Sequence, residues 1–307
     1  MINQVDLSGS REIWVRAYSA NTLHVPFLTH KWHVNWKEIL GTETEPFYLV
    51  INDDILAPFV KEEGTVFFSG GEEGSDYLDI IGPDDKKKSA WTELIPYCKN
   101  QHINRLVLRN IPENSPTLQF FQTIPSAVIE KEDTTPKMPL PGSWEAYVES
   151  LDRKDRHELE RKTRKFEREH EGAVFTESAD SAHDIEILLD LMEKDEDKRK
   201  FLTPAMKEFF RRTAATFADS ISLLTVNIGG QHASATMAFK NHDGYYLYNS
   251  GFDKNNFPNA GFYAKAMSVR HAIEEGRKEY NFLQGHERYK YELGGKDFFV
   301  YKITLDL

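Results

Sequence analysis

The chain contains very little cysteine, only Cys98 among 307 residues. A single thiol excludes an internal disulfide and any metal cluster held by several cysteines. No apolar run approaches the roughly 18 residues that a membrane-spanning helix needs. The first residues, MINQVDLSGSRE, lack the basic and apolar regions of a secretory signal. These absences predict a cytoplasmic protein without a membrane span.

An excess of positive charge is also missing, because 49 Asp and Glu outnumber 38 Lys and Arg and give a formal net charge of −11 at pH 7. Nucleic-acid-binding proteins usually carry a basic domain or stripe, since neutralising phosphates supplies much of their affinity. The most basic stretch, residues 151–171, holds nearly as many acidic as basic side chains. Charges four residues apart, such as Arg156 and Glu160, predict a self-paired, solvated helix face there. A nucleic-acid partner is therefore disfavoured.

Several catalytic signatures are missing as well. The residues around Ser250 do not form Gly-x-Ser-x-Gly, and the chain has neither a P-loop nor HExxH. His30 and His33 have no third ligand nearby, which favours surface or packing roles over a metal site. The sequence therefore gives no support for a hydrolase of that type, and it predicts no metal.

The composition is that of a globular protein, with 40% hydrophobic and 28% charged residues, and the length predicts about two domains. The Pro-rich stretch 132–142, EDTTPKMPLPG, predicts a linker, which divides the chain into domains 1–135 and 136–307. In the first domain, four apolar runs parted by turns predict an antiparallel meander, followed by alternating helices and strands. These runs are Phe47–Ile51, Leu56–Lys61, Thr65–Ser69 and Tyr77–Ile81.

The second domain begins with helices. Ser143 is a good N-cap, and Ser181 with Asp184 resembles a capping box. Two strands follow, joined at Gly229-Gly230, a two-residue hairpin signal. A third strand completes a meander before the segment that carries the most information.

That segment is a strand, a helix and a second strand. Residues 245–248 favour a strand that ends in the polar turn 249–251. The helix after it keeps one apolar stripe and stops at Gly276, and residues 280–283 favour the second strand. A crossover helix makes the two strands parallel.

The loop before this helix suggests an anion site. Asn259 is a plausible N-cap, which leaves the amides of Ala260, Gly261, Phe262 and Tyr263 unpaired in the first turn. Free amides and the positive end of the helix dipole favour a phosphate. The alternative is an ordinary capped helix whose amides meet water, and spacing alone favours that alternative.

Three stretches carry a family resemblance over nearly the whole chain. They are the segment YNSGFD to YNFLQGHERYKYELGG, the basic helix SWEAYVESLDRKDRHELERKTRKFERE and the entry helix FLTHKWHVNWKEILG. Together they resemble the CelD-like acetyltransferases of the GNAT superfamily, which are related to the Fem-type peptidoglycan-bridge transferases. The final strand departs from that family, since Asn281 and Gln284 replace an Asp and an Arg.

The resemblance implies an α/β (α+β) fold with two GNAT-like domains. Each would be a mixed, mostly antiparallel sheet flanked by helices, with an acyl-CoA-binding βαβ unit in the C-terminal domain and worn-away catalytic features in the N-terminal one. It further implies acetyl-CoA, or another acyl-CoA, as co-substrate. Tyr248, Asn249 and Ser250 would flank the thioester, and residues 259–263 would hold the pyrophosphate.

Proton handling is assigned to residues just past the second strand. His286 has a suitable unperturbed pKa, Glu287 would act through water, and Tyr289 would protonate the leaving thiolate. Lys290 resembles the Fem-type Lys that contacts the reacting carbonyl region. Asp253 either orients the acceptor or caps its loop. The alternative for residues 286–290 is a solvated turn with packed tyrosines.

These expectations predict an acyl-CoA-dependent N- or O-acyltransferase. Its acceptor would be a sugar, a glycan precursor or an amine, and the family link to polysaccharide production favours the first. Two alternatives stay open, a Fem-like aminoacyl-tRNA-dependent transferase and a catalytically silent GNAT fold used for binding. The sequence gives no indication of the oligomeric state.

Overall fold

The computed structural model describes residues 1–307 and divides them into two units. Unit 1 comprises Met1–Thr134 and Phe298–Leu307, and unit 2 comprises Thr135–Asp297. Each unit is built on one mixed sheet in which a single pair of neighbouring strands is parallel and the rest are antiparallel. The predicted fold class, α/β with two mixed, mostly antiparallel sheets, is therefore confirmed.

Unit 1 contains a seven-stranded sheet in the order β1-β2-β3-β4-β5-β13-β6. Its strands are β1 Ile2–Val5, β2 Glu45–Ile51, β3 Ile55–Glu62, β4 Thr65–Phe68, β5 Arg105–Pro112, β6 Val128–Thr134 and β13 Phe299–Asp306. Its helices are α1 Arg11–Ala20, α2 His30–Ile39, α3 Asp84–Asn100 and α4 Pro116–Phe121, with a 3-10 turn at Pro26–Leu28.

The predicted meander in unit 1 has three strands rather than four. Residues 77–81 form no strand of the sheet, and only an isolated bridge joins Ile81 to Leu56. Leu78 instead donates its amide to the carbonyl of Asn110. Apolar content alone does not distinguish a buried extended loop from a strand, because both bury the same side chains.

The C terminus lies in unit 1, whereas the sequence analysis assigned residues 136–307 to the second domain. Strand β13 pairs with β5 on one side and β6 on the other, so its backbone groups are satisfied inside that sheet. Val300, Ile303 and Leu305 are buried. This return of the chain joins elements that are far apart in sequence, which local patterning does not show.

Unit 2 contains a six-stranded sheet in the order β7-β12-β11-β10-β9-β8. Its strands are β7 Lys137–Pro139, β8 Val174–Glu177, β9 Ile221–Ile228, β10 Gln231–Lys240, β11 Gly244–Phe252 and β12 Glu279–Asn281. Its helices are α5 Trp144–Ser150, α6 Arg153–Glu169, α7 Ser181–Glu193, α8 Glu196–Phe201, α9 Pro204–Thr216, α10 Ala260–Glu274 and α11 Arg288–Glu292, with a 3-10 turn at Ala218–Ser220.

Two further assignments in unit 2 change. The predicted linker contains β7, an edge strand whose Lys137–Pro139 pair antiparallel with β12. Proline is tolerated in such an edge position because the outer side needs no ladder hydrogen bond. The N-cap of α7 is Asp180, which accepts from the amide of His183 at 3.1 Å, rather than Ser181.

The predicted N-cap of α5 is present. The Ser143 hydroxyl accepts a hydrogen bond from the amide of Ala146 at 3.1 Å. We expect Ser143→Ala to lower the free energy of unfolding by about 1 kcal/mol, because one helix-terminal amide loses its partner. Urea unfolding measures this, with Ser150→Ala as a control at the other end of the helix; an equal effect in both variants would contradict it.

No helix combines the length and the apolar character of a bilayer span.

Candidate active site

The parallel strands β11 and β12 separate after three residue pairs. Gly244 pairs with Glu279, Tyr245 with Tyr280 and Tyr246 with Asn281, after which β11 continues to Phe252 while β12 ends. The residues predicted as a polar turn, 249–251, are therefore part of β11. The sheet is open at the carboxyl ends of these strands, where ligands of α/β proteins usually bind.

The chain leaving β12 is held in a turn by one of the residues that departs from the family. Leu283 has a positive φ of 57°, and its amide donates to the Asn281 side-chain oxygen at 2.9 Å. A carboxylate oxygen at this position would accept the same bond. Replacement of the family's Asp by Asn281 therefore preserves this turn.

A β-bulge lies in β11 next to the opening. The pairing with β10 shifts between Met237, opposite Asn249, and Ala238, opposite Leu247, so that Tyr248 is the extra residue. Such a bulge bends the strand and leaves one residue out of the ladder. The Tyr248 ring lies 5.6 Å from that of Phe210, which gives its side chain a packing role.

The N-terminus of α10 offers fewer open amides than the sequence predicts. Asn259 is the N-cap, with φ 74° and no hydrogen bond from its side chain. The amide of Ala260 donates to the carbonyl of Phe257, and that of Tyr263 donates to the carbonyl of Asn259. Only the amides of Gly261 and Phe262 are left to meet an anion.

Gly261 is required by packing as well. A Cβ atom there would lie 2.7 Å from the Phe252 ring, so any other residue forces the helix away from β11. The neighbouring side chains are also engaged, since Tyr263 stacks on Phe166 at 4.3 Å and the Lys162 ammonium lies over the Phe262 ring. Packing against Phe252 therefore explains a glycine at position 261 without a phosphate that approaches the backbone closely.

Asp253 is the anchor of the loop between β11 and α10. Its carboxylate accepts from the amides of Asn255 and Asn256 and from the Asn256 side chain, and it lies 2.5 Å from the Lys194 ammonium. The Lys194 hydrogen bond contributes most to lowering the pKa of Asp253 to about 2. Of the two roles that the sequence left open, these contacts favour the loop cap.

Lys290 is almost completely buried, and all three of its ammonium hydrogens have protein acceptors. It donates to the carbonyl oxygens of Leu283 and Gln284 and lies 3.0 Å from the Glu287 carboxylate. An ammonium has three donors. Lys290 therefore fixes the turn after β12, and contact with a substrate carbonyl would require it to release one of these bonds.

The other residues of the predicted proton-handling group differ in exposure. His286 is exposed, and Glu287 is 57% exposed and paired with Lys290. Burial works against ionisation, but the Lys290 charge lowers the pKa of the Glu287 carboxyl overall. Burial raises the pKa of Tyr289 well above its usual range, so its hydroxyl stays protonated at neutral pH.

Two lysines that the sequence analysis did not single out complete the site. Lys198 of α8 donates to the carbonyl of Ser250 and, at 3.4 Å, to the side chain of Asn249. Lys265 of α10 is 8% exposed, and its ammonium lies 4.2 Å from the centre of the Tyr289 ring. A signal for Lys265 was present, because it lies on the apolar stripe of its helix, where a lysine is unusual.

Elsewhere in unit 2, three potential metal ligands lie close together. One ligand atom from each of Glu177, His271 and Glu275 falls within 4.8 Å of the others. However, the Lys240 ammonium lies 2.9 Å from the Glu177 carboxylate and 2.8 Å from the Glu275 carboxylate. A protein cation already neutralises this group, which gives it a role in joining β8, β10 and α10.

Comparison with known proteins places these features in a known fold. Residues 153–291 match the family described as acetyltransferase (GNAT) domain, and no curated protein matches the sequence. Among solved structures, FemX superposes with a TM-score of 0.67 at 10% identity, covering 100% of this chain and 97% of that one.

Two other structures give similar results. The C-terminal domain (DUF2156) of a putative lysylphosphatidylglycerol synthetase from Agrobacterium fabrum gives a TM-score of 0.64 at 7% identity, with coverages of 98% and 93%. A tandem GNAT protein from the clavulanic acid biosynthesis pathway gives 0.54 at 10% identity, with coverages of 99% and 97%. At such identities the likeness shows the fold.

Together these matches confirm the fold predicted from the resemblance, two GNAT-like domains. The residues that match the acetyltransferase (GNAT) domain family, 153–291, lie within unit 2 and include β11, α10 and β12. Such a domain supports an acyltransferase activity.

Proposed function

We propose that unit 2 is an acyl-CoA-dependent N- or O-acyltransferase of the CelD-like type. The main supporting observation is the opening between β11 and β12 beside the N-terminus of α10. The free amides of Gly261 and Phe262 and the positive end of the helix dipole suit the diphosphate of CoA. Residues 247–252 of β11 extend beyond the pairing with β12, and the acyl arm would lie beside them.

The residues at the opening suit direct attack on a thioester. Holding donor and acceptor in line supplies on the order of 7 kcal/mol or more of barrier lowering. The ammonium group of Lys198, which is bound at the end of β11, favours negative charge developing on the thioester oxygen. We assign the proton that the departing thiolate takes up to Tyr289, whose hydroxyl stays protonated at neutral pH because burial raises its pKa.

For the acceptor we propose a sugar, a glycan precursor or an amine in the cytoplasm. The base that takes its proton is Glu287, acting through water, because this carboxylate is ionised at neutral pH and half open to solvent. His286 is the second candidate base, since it is exposed beside Glu287. Unit 1 would then be the GNAT-like half without catalysis of its own.

The main competing function is aminoacyl transfer from charged tRNA, as in Fem-type proteins. The fold similarity to FemX favours it, whereas the charge of α6 does not. Arg161 pairs with Glu158, Arg164 with Glu160 and Lys165 with Glu169, so part of its positive charge is neutralised within the helix. The predicted pair of Arg156 with Glu160 does not form, because Glu160 pairs with Arg164 instead.

Calorimetric titration distinguishes these functions. We expect acetyl-CoA and CoA to bind the full chain with micromolar dissociation constants, about −8 kcal/mol, because both carry the diphosphate. Binding of tRNA with strong salt dependence, together with no response to CoA, would instead establish the aminoacyl-tRNA function. Absence of both would leave a GNAT fold used only for binding.

A further inference from the structure

Lys265 is a buried cation that the transfer mechanism alone does not explain. It lies in the second turn of α10, and its ammonium has neither a carboxylate nor a hydrogen-bond acceptor among its contacts. Instead, the ammonium nitrogen lies 4.2 Å from the centre of the Tyr289 ring and 5.9 Å from the centre of the Phe252 ring. Aromatic faces attract a cation, but they do not replace the hydrogen bonds that water would give it.

The surrounding charges make this position still less favourable for a cation. Lys198 and Lys290 both repel Lys265, and Glu287 is the one carboxylate that attracts it. That carboxylate is already paired with Lys290 at 3.0 Å. Burial, and then the nearby lysines, lowers the pKa of Lys265 to about 7. The group therefore holds more positive than negative charge in a place with little water.

The position of the group defines what an anion there would touch. Lys198 is bound to the end of β11 at Ser250, and Lys290 is bound to the turn after β12 at Leu283 and Gln284. The Lys265 ammonium lies near the rings of Phe252, the last residue of β11, and of Tyr289, which follows β12 in the chain. An anion that paired with Lys265 would thus lie at the open ends of β11 and β12, where the proposed function places the reacting groups.

We propose that Lys265 binds a carboxylate carried by one of the two substrates, with Lys198 and Lys290 adding favourable charge. One unpaired ammonium matches a singly charged, two-oxygen group, because Lys198 and Lys290 already bond to backbone carbonyls. The carboxylate belongs either to the acyl group of a dicarboxylic donor or to an amino-acid-like acceptor. This inference rests on the proposed acyltransferase function.

Binding measurements with matched ligands test the two sources. For the donor, we expect succinyl-CoA to bind at least about 10-fold more tightly than butyryl-CoA, which has four carbons and no carboxylate. For the acceptor, we expect N-acetylglycine to bind the CoA-loaded protein at least about 10-fold more tightly than N-acetylglycinamide. A preference in either pair supports the inference, and no preference in both overturns it.

A variant then assigns the preference to Lys265. Lys265→Met keeps the unbranched, apolar part of the side chain but removes its charge, and we expect it to reduce the carboxylate preference to less than about twofold. Arg270→Met removes a charge from the exposed face of the same helix, where Arg270 pairs with Glu274, and should keep the preference. A preference that survives in Lys265→Met would overturn the inference.

A measurement without CoA separates this inference from the proposed function. Labelling with acetic anhydride, measured residue by residue by mass spectrometry, follows the reactivity of Lys265. We expect succinate, but neither succinamide nor inorganic phosphate, to protect Lys265 by about fivefold or more, because pairing with an anion raises its pKa. The exposed Lys200 should be acetylated to the same extent with succinate, with succinamide and with inorganic phosphate. Protection by succinate in a protein that does not bind CoA would refute the transferase but support the carboxylate site; no protection, or equal protection by phosphate, would refute the carboxylate site.

Discussion

Replacing Asn259 by Asp is expected to weaken the binding of CoA by about 10- to 100-fold, or ~1.4–2.8 kcal/mol. The new carboxylate would lie at the N-terminus of α10, beside the amides proposed to hold the diphosphate. Asp tolerates the left-handed conformation that Asn259 adopts, at φ 74°, and it is a good N-cap. The fold should therefore be unaffected, and calorimetric titration with CoA measures the change.

Two controls isolate the diphosphate in this experiment. Asn255→Asp adds the same charge at an exposed position of the same loop and should change the affinity much less. Binding of S-acetylpantetheine, which lacks the diphosphate, should be nearly equal in wild type and Asn259→Asp. A change at Gly261 would be less informative, because its Cβ would collide with Phe252. Unchanged affinity for CoA in Asn259→Asp would place the diphosphate elsewhere.

Replacing Lys87 by Met is expected to lower the free energy of unfolding of unit 1 by about 3–5 kcal/mol. The Lys87 ammonium is 2% exposed and lies 3.0 Å from Asp79 and 3.0 Å from Asp84. Burial works to lower its pKa, but the two carboxylates raise the pKa of Lys87 overall, so it is charged at neutral pH. Its loss would leave the buried Asp79 carboxylate without a counterion.

Urea unfolding followed by tryptophan fluorescence measures this effect, because four of the five tryptophans lie in unit 1. Lys88→Met, an exposed neighbour on α3, should change stability by less than about 0.5 kcal/mol. Adding Asp79→Asn to Lys87→Met should recover part of the loss, since the unpaired charge is then removed. Equal stability of Lys87→Met and wild type would show that the ion pair contributes nothing net.

The sequence predicted the central strand–helix–strand segment because its signals are local. The apolar stripe of α10 and the stop at Gly276, which has a φ of 76°, depend on neighbouring residues only. The hairpin at Gly229-Gly230 and the N-cap Ser143 were predicted for the same reason. Propensity and capping act over a few residues.

The lengths of the strands were predicted less well. Strand β11 continues through Asn249 and Ser250 to Phe252, although these polar residues suggested a turn. Its partner β10 pairs with them across the bulge at Tyr248. Tertiary pairing therefore overrides the weak turn preference of two residues.

In the candidate site, too, local sequence signals predicted which residues lie together but not the contacts that each of them makes. Its predicted members His286, Glu287, Tyr289 and Lys290 are close together because they are close in sequence. Which lysine has an ammonium group without a hydrogen-bond partner was not predictable, because Lys290 is bound by carbonyls of the turn after β12, whereas Lys265 has no such acceptor among its contacts.

The two mixed sheets were implied by the family resemblance. The sequence by itself determined a parallel strand pair around one crossover helix and the segment that holds the candidate chemistry. These follow from periodicity, turn residues and helix caps, which act over short distances. Only the tertiary structure decided that β13 returns to the first sheet, that two amides of α10 stay open, and that Lys265 rather than Lys290 lacks a partner. The return of β13 depends on hydrogen bonds between strands far apart in the chain. The other two depend on the backbone path that the tertiary structure gives to the loop before α10 and to the turn after β12, which local preference alone does not fix.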